Sequence, residues 1–408
     1  MRTLAALALA LSSTSPLLAQ NVWVVDASLG PGADTDTIAH GLQLAADGDV
    51  VLVREGSYPE FVSIPNRSVV LTADAGALVE VAQLTINGVG AGRTVTIRGL
   101  DFAPTPGFFG AAALLVGVDA VVHVEDCTFE GGNVLSDGAL RILQCDDVVV
   151  SRCTILAPNS SATGVASLDV EGSNAALFEC VVDGGDGSSI VGTNVVATPA
   201  LVAADSLVTL TGCVLHGGDG APGSAVLACS DGSDGAPGLV VDGLGLSVVE
   251  LIDTTATGGA GGTAVQPCSP GAPGQDTVVL AGTLSVRPGL APHFRFASPL
   301  RSGDPWDFDL AALPNSFAWI VIGVAPGPIQ SFAPVVDGVV TVGAPQFLVP
   351  LGNLPASGVL DASLLPGTFV LPPGLPYLPL VVQPITAEPV HGPTAGTPSA
   401  LLVLDPSF

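Results

Sequence analysis

Two adjacent carboxylates, Asp146 and Asp147, stand just ahead of a guanidinium, Arg152, and His216 follows further along, before Gly217. Carboxylate pairs of this kind cleave glycosidic bonds: one acid protonates the leaving oxygen while the other attacks or activates water. A second chemistry, elimination from uronates, needs a base of lowered pKa and cations facing the substrate carboxylate. The cations that could serve it are scattered: Arg93 and Arg98, Arg141, Arg152, then none until Arg287. Read without chemistry, Asp146-Asp147 is a polar corner and His216 a solvated loop residue. That plainer reading is preferred, because no single stretch assembles the full set.

Gly185-Asp186-Gly187, Gly218-Asp219-Gly220 and Asp231-Gly-Ser-Asp234 offer carboxylates and carbonyls to calcium. Their spacing matches neither an EF-hand loop nor a nine-residue calcium repeat, so polar turns are the preferred reading. No Cys-x-x-Cys or His-x-x-x-His occurs, and no zinc site is expected. The chain implies no cofactor, and calcium stays open as a ligand of Asp186, Asp219, Asp231 and Asp234.

The elements that must position these groups follow from a recurring eight-residue pattern. Val95-x-Ile97-x-x-Leu100-x-Phe102 returns as Val122-x-Val124-x-x-Cys127-x-Phe129 and Val148-x-Val150-x-x-Cys153-x-Ile155. Ala175-x-Leu177-x-x-Cys180-x-Val182 and Val208-x-Leu210-x-x-Cys213-x-Leu215 continue it, at intervals of 27, 26, 27 and 33 residues. Two alternating strands broken by a two-residue corner describe one edge of a coil. Such coils must stack to bury a core. Asp253 sits where the next ladder residue is expected, and Glu250 breaks the apolar pattern there. A second strand precedes each edge, as at 113–116, 139–142, 200–202 and 238–241. Residues 34–48 read as a single helix, capped by Asp36 or Thr37 and stopped at Gly48, which covers the open first edge.

Leu100, Cys127, Cys153, Cys180 and Cys213 thus form one vertical stack. Neighbouring strands lie about 4.8 Å apart, within reach of a disulfide. Reduced, buried thiols acting as small hydrophobes are the preferred reading. Cys229 and Cys268 lie in Gly/Pro/Ser loops of neighbouring coils and are expected to form a loop-stapling disulfide, which leaves Cys145 as the odd thiol. Gly-Ala-Pro-Gly runs at 220–223, 235–238 and 271–274 are too short for a collagen triple helix and read as rigid turns in lateral loops.

The composition bounds the partners. Ten cations, all arginine, face 37 acidic residues, for a net charge of −27. Such a surface repels nucleic acid and anionic lipid. Arg2, the apolar run Leu4–Leu11 and small residues up to Ala19 read as a signal peptide over residues 1–19, so a secreted or cell-surface location is expected. No later apolar run reaches membrane-spanning length. After Val286 the chain changes character: 21 of the 34 prolines follow, and no cysteine. Runs such as Trp319–Ile322, Val339–Val342, Phe347–Val349 and Leu401–Leu404 suit a small antiparallel sandwich over 287–408.

Trp23-Val24-Val25-Asp26, the stretch Asp47–Val53 followed by Gly56-Ser57-Tyr58, and Glu125-Asp126-Cys127-Thr128-Phe129 carry a resemblance. Over roughly residues 22–286 the chain resembles the right-handed parallel β-helix, or pectate-lyase-like, superfamily. More narrowly, it is similar to secreted β-helix repeat proteins of the planctomycete type. The C-terminal part is similar to the sandwich modules that follow such helices. The resemblance implies an all-β fold: a right-handed parallel β-helix over 20–286 with an N-terminal capping helix, then a β-sandwich. It does not imply one chemistry, since the superfamily holds lyases, hydrolases, epimerases and adhesins. Asp146-Asp147 and His216-Gly217 resemble parts of polygalacturonase-type sites, but the Asn-Thr-Asp and Arg-Ile-Lys elements are missing, and the chain has no lysine.

A non-catalytic role is therefore expected, binding carbohydrate or protein or serving as an envelope scaffold, with a polysaccharide or envelope component as partner. The alternative is a carbohydrate-active enzyme, a lyase or hydrolase, acting in a groove along the coils.

Overall fold

A computed structural model describes residues 21–103, 110–132, 138–157, 165–190, 193–223, 230–264, 268–287, 289–296, 298–304, 308–323, 326–331, 336–344, 347–361, 377–388 and 392–405. The expected signal peptide lies outside these residues. No helix among them is long and apolar enough to cross a membrane.

The repeated pattern folds as stacked coils of parallel strands, a parallel β-helix with three faces. The first face runs from Val22–Val25 through Val50–Val53, Val69–Ala73 and Thr94–Arg98 to Thr283–Arg287. Along it Val95, Val122, Val148, Ala175, Val208, Val249 and Leu284 stand in register. The second face takes Phe102, Phe129, Ile155, Val182, Leu215 and Ala256 in register, with the Phe102 and Phe129 rings stacked 5.1 Å apart. The third face holds the strands expected ahead of each edge, including Leu168–Glu171, Leu201–Ala204 and Leu239–Asp242. Both neighbours of each inner strand belong to other coils, so its inward residues form a near-continuous apolar column.

The corner between the first two faces has a constant geometry. Gly99, Asp126, Arg152, Glu179, Gly212 and Asp253 all adopt positive φ, between 48° and 69°. A non-glycine residue there costs about 1–2 kcal/mol, which the stacked coils on either side offset. The next residue turns inward, and Leu100, Cys127, Cys153, Cys180 and Cys213 are all buried. The expectation at the following coil needs correction. Asp253 occupies the left-handed corner, and Thr254 takes the ladder position, receiving the Cys213 backbone N–H at 3.2 Å. Glu250 breaks nothing, because it points outward from the first face and pairs with Arg287.

The N-terminal helix is shorter than the sequence pattern implies. α1 spans Ile38–Leu44, with Thr37 as its cap, and ends before Gly48. Its first N–H groups are satisfied from a distance, and the residue beyond its C-cap locally. Glu60 accepts the N–H groups of Ile38 and Ala39 at 2.7 and 2.9 Å, and Asp49 accepts Ala46 N–H at 2.8 Å. Ile38, Leu42 and Ala45 close the first end of the core.

The glycine-rich runs are more than turns. Gly220, Gly259, Gly262, Gly271 and Gly274 donate N–H bonds of 2.8–2.9 Å to carbonyls of neighbouring extended segments. Their spacing is three residues (217, 220, 223; 232, 235, 238; 259, 262; 271, 274), and a Cβ at these positions would run into a neighbouring backbone. This is collagen's constraint in another arrangement: a glycine every third residue where extended backbones meet.

The C-terminal residues form a sandwich of two sheets. His293–Phe296, Phe308–Ala311 and Val359–Asp361 face a sheet containing Ser399–Leu404, Tyr377–Glu388, Phe317–Gly323 and Phe347–Asn353. Phe294, Leu310, Ile320, Val382 and Leu401 lie between the sheets. The outer side of this unit lies along the first face of the β-helix. Leu402 and Leu404 pack on Val50 and Leu52, while Val339 packs on Val149, Ala176 and Phe178.

Candidate functional site

The first-face corners carry charge, and the sandwich closes over them. Arg98 precedes the left-handed Gly99. One coil on, Glu125 takes the register of Arg98 and Asp126 the corner; a further coil on, Arg152 takes the corner. Stacking thus alternates opposite charges up one edge. Arg98 Nη2 lies 2.9 Å from Asp126 Oδ2, and Arg152 Nε lies 2.8 Å from Asp126 Oδ1. Glu125 is 0 % exposed and meets both guanidiniums, Arg98 at 3.6 Å and Arg152 in closer contact.

Sandwich groups complete the cluster. Ala400 N–H donates to Glu125 Oε2 at 2.6 Å, the Ser399 hydroxyl donates to the same carboxylate, and Arg98 donates to Ala400 O. Arg152 donates to Ser399 Oγ at 2.8 Å. One coil further, Glu179 pairs with His293 Nδ1 at 3.0 Å and accepts from Thr397; two coils beyond that, Asp253 accepts Ala291 N–H at 3.2 Å.

Burial opposes the charge on Glu125, but Arg98 and Arg152 overcome it and hold the carboxyl down to about 2. Burial likewise works against Arg152, yet Glu125 and Asp126 raise its pKa further. His123, 3.8 Å from Glu125, is held neutral chiefly by its burial. Two carboxylates therefore face two guanidiniums, and Glu125 accepts hydrogen bonds from Arg152, Ser399 and Ala400. Glu125 thus stays ionised at neutral pH, and His293, beside Glu179, is the group along this seam whose pKa is raised from the ordinary 6.5. Chemically, the arrangement is a clasp.

The residues singled out by sequence take separate places. Arg152 is part of the clasp. Asp147 is turned to the sandwich, accepting Ile329 N–H at 2.9 Å and Asn174 Nδ2–H at 3.2 Å, and its burial there raises its pKa. Asp146 beside it is exposed. His216 ends the second-face strand Val214–His216, and its Nδ1 meets Thr257 Oγ1 of the next coil at 2.6 Å. The structure brings Arg152 to Glu125 and Asp126, and does not bring it to Asp146, Asp147 or His216.

Each calcium candidate already supports a neighbouring segment. Asp186 accepts Asp219 N–H, Asp219 accepts Ala260 N–H, Asp231 accepts Ser269 N–H and Asp234 accepts Ala272 N–H, at 2.6–2.8 Å. Among the described residues no three His, Cys, Asp or Glu side chains converge as metal ligands. Cys127, Cys145, Cys153, Cys180 and Cys213 are free thiols, and Cys268 is disulfide-bonded. Cys229 lies outside the described residues. A small crevice opens between the two parts, lined by Val70, Thr72, Thr96, Arg98 and sandwich residues such as Leu402, with no carboxylate in its lining.

Glu125, Arg98 and Glu179 were missed as interface residues by sequence reasoning. Their signal was the alternation of charge at two adjacent register positions, Arg98 with Glu125 and Asp126 with Arg152.

No protein-family model matches the chain, and no curated protein is significantly similar to it. Five chains among the solved structures are similar, two of them as follows. A rhamnogalacturonan lyase shares 13 % identity, with 57 % of this chain and 67 % of that one covered and a TM-score of 0.37. The tailspike protein TSP2 of Escherichia coli O157:H7 bacteriophage CAB120 shares 11 %, covering 95 % and 69 %, with a TM-score of 0.30. Likeness at this level transfers neither a site residue nor an activity.

Proposed function

We infer that this is a non-catalytic β-helix protein, exported and acting as a binding or scaffold element outside the cytoplasm, with a polysaccharide or envelope component as its partner. One observation carries the reading. Asp147 and Arg152, two of the four candidate catalytic residues, are spent on holding the sandwich against the first face. The outward side chains of that face that a groove would use are covered, as at Glu125, Ser151 and Phe178. The net charge of −27 narrows the partner to one that is not polyanionic.

The test is a screen of the purified chain against neutral and uronate polysaccharides, with and without Ca²⁺, alongside a glycan array and isolated cell envelopes. Retention without turnover is expected. Turnover lost in Asp147→Asn, which keeps the acceptor for Ile329 N–H, would overturn the reading in favour of a carbohydrate-active enzyme.

A further inference from the structure

The two ends of the β-helix are finished differently. At the first end α1 covers the core, with Ile38 and Leu42 buried. At the other end the last coil, Thr277–Val279 and Thr283–Arg287, pairs on one side only. Its inward residues are open. Val286 stands in register with Leu251 yet is 69 % exposed against 4 %, and Val279 stands in register with Val241 at 47 % against 0 %. Leu280 is 67 % exposed beside them. The sandwich packs along the first face rather than across this end, and no described residue covers it.

Solenoids need a polar or covered terminal coil to stay soluble. Single-chain edges are usually protected by charge or proline. This end has neither: residues 277–286 (TVVLAGTLSV) contain no charged side chain and no proline, in a chain of net charge −27. Arg287, at its margin, is neutralised by Glu250 and by Asp337 at 2.6 Å.

We propose that the open end is an interface with a second copy of this chain, formed by antiparallel pairing of Thr283–Arg287 with itself about a two-fold axis through Ser285. The occupant follows from complementarity. An edge strand finds matching donors and acceptors in an antiparallel copy of itself, and an isologous contact uses one patch twice. Centred on Ser285, the pairing sets Leu284 against Val286 of the other copy on the core side, and Thr283 against Arg287, so no like charges meet. A head-to-tail stack is blocked, because the opposite end carries α1.

Sedimentation equilibrium of the full chain tests this, with Val286→Lys as the disrupting variant and Ser285→Cys as the reporter. Twice the chain mass is expected for the parent and single mass for Val286→Lys, with the far-ultraviolet spectrum unchanged. Oxidised Ser285→Cys should run as a disulfide-linked dimer that the parent does not form. Ser285 would sit opposite itself at a Cα separation of about 4.5–5.5 Å, and its readout stands even where Val286→Lys fails to fold. A monomer at every concentration, an open-ended polymer, a dimer that folded Val286→Lys leaves intact, or a dimer in which Ser285→Cys does not cross-link would each overturn the proposal.

Discussion

The carboxylate of Glu125, deep in the β-helix edge, accepts the backbone N–H of Ala400 at 2.6 Å across 275 residues of sequence. This bond places the last sandwich strand over a balanced cluster of Arg98, Asp126 and Arg152. Interfaces inside a chain are often loose and polar. This one is keyed by a buried charge, so its strength depends on one side chain.

Replacing Glu125 with alanine leaves two buried guanidiniums with Asp126 as their shared carboxylate and strips the Ala400 N–H of its acceptor. A loss of about 3–5 kcal/mol is expected, measured by urea denaturation followed by tryptophan fluorescence. A loss below about 1 kcal/mol, the range of surface pairs, would show that the cluster contributes no more than an exposed one.

The cluster also sets a pH dependence. Because the pKa of Glu125 lies near 2 rather than near the ordinary 4.5, its contribution is fully present above that ordinary range and is lost as pH falls through about 2. Glu125→Gln should flatten the stability profile between those values. His293 acts in the opposite sense: its bond to Glu179 raises its pKa above 6.5. Its contribution is present below that value and disappears as pH rises through the raised one. In His293→Ala the neutral-pH slope should vanish while the acid slope remains.

The glycine array makes a positional prediction. Gly259→Ala places a Cβ against the Gly218 carbonyl, where only backbone could give way. A cost of about 1–3 kcal/mol or more is expected, visible as a lower melting temperature. Gly289→Ala, with nothing within 4 Å and no positive φ, is the matched control and should be neutral. Equal effects at the two sites would contradict the packing account.

The ladder thiols should be silent in the folded protein. All five free cysteines are buried and so inaccessible, and burial also pushes Cys153 and Cys213 well up and Cys145 up to about 11, which leaves little thiolate at those three. Alkylation is expected to label none of the five free cysteines until denaturant is added. Seven should label only after reduction as well, given the expected Cys229–Cys268 bond. Rapid native labelling of any ladder cysteine would refute the packing role.

Chelation should leave the melting temperature unchanged. Asp186, Asp219, Asp231 and Asp234 each accept a neighbouring backbone N–H rather than converging. A fall with EDTA that calcium restores would identify a bound ion as part of the native state.

The coil architecture was legible in the sequence because its cause is periodic. Inward positions must be apolar in every coil, so Val95, Val122 and Val148 announce the stack without reference to anything distant. The corner at Asp126, Arg152 and Glu179 was legible as a two-residue break for the same reason. At the coil after Cys213 the reading slipped by one position, because Thr254 fills the ladder place with a hydroxyl where an apolar residue or cysteine was expected. The helix ends were read locally, as Asp36 or Thr37 and Gly48; Thr37 is the cap, and what local reading could not supply is Glu60, which accepts the first N–H groups from 21–22 residues away.

What only the tertiary structure decided is where the charges go. From sequence, Arg152 was a candidate catalytic cation and Glu125 merely part of a strand edge. Stacking set Glu125 between Arg98 and Arg152, and the sandwich then removed all three from water. That outcome depends on a strand some 275 positions away, whose approach no local period encodes. The sequence by itself determined a solenoid with a separate C-terminal unit, because burial repeats along the chain. The fate of its polar residues depended on which surfaces met, because a charge takes its role from whatever displaces its water.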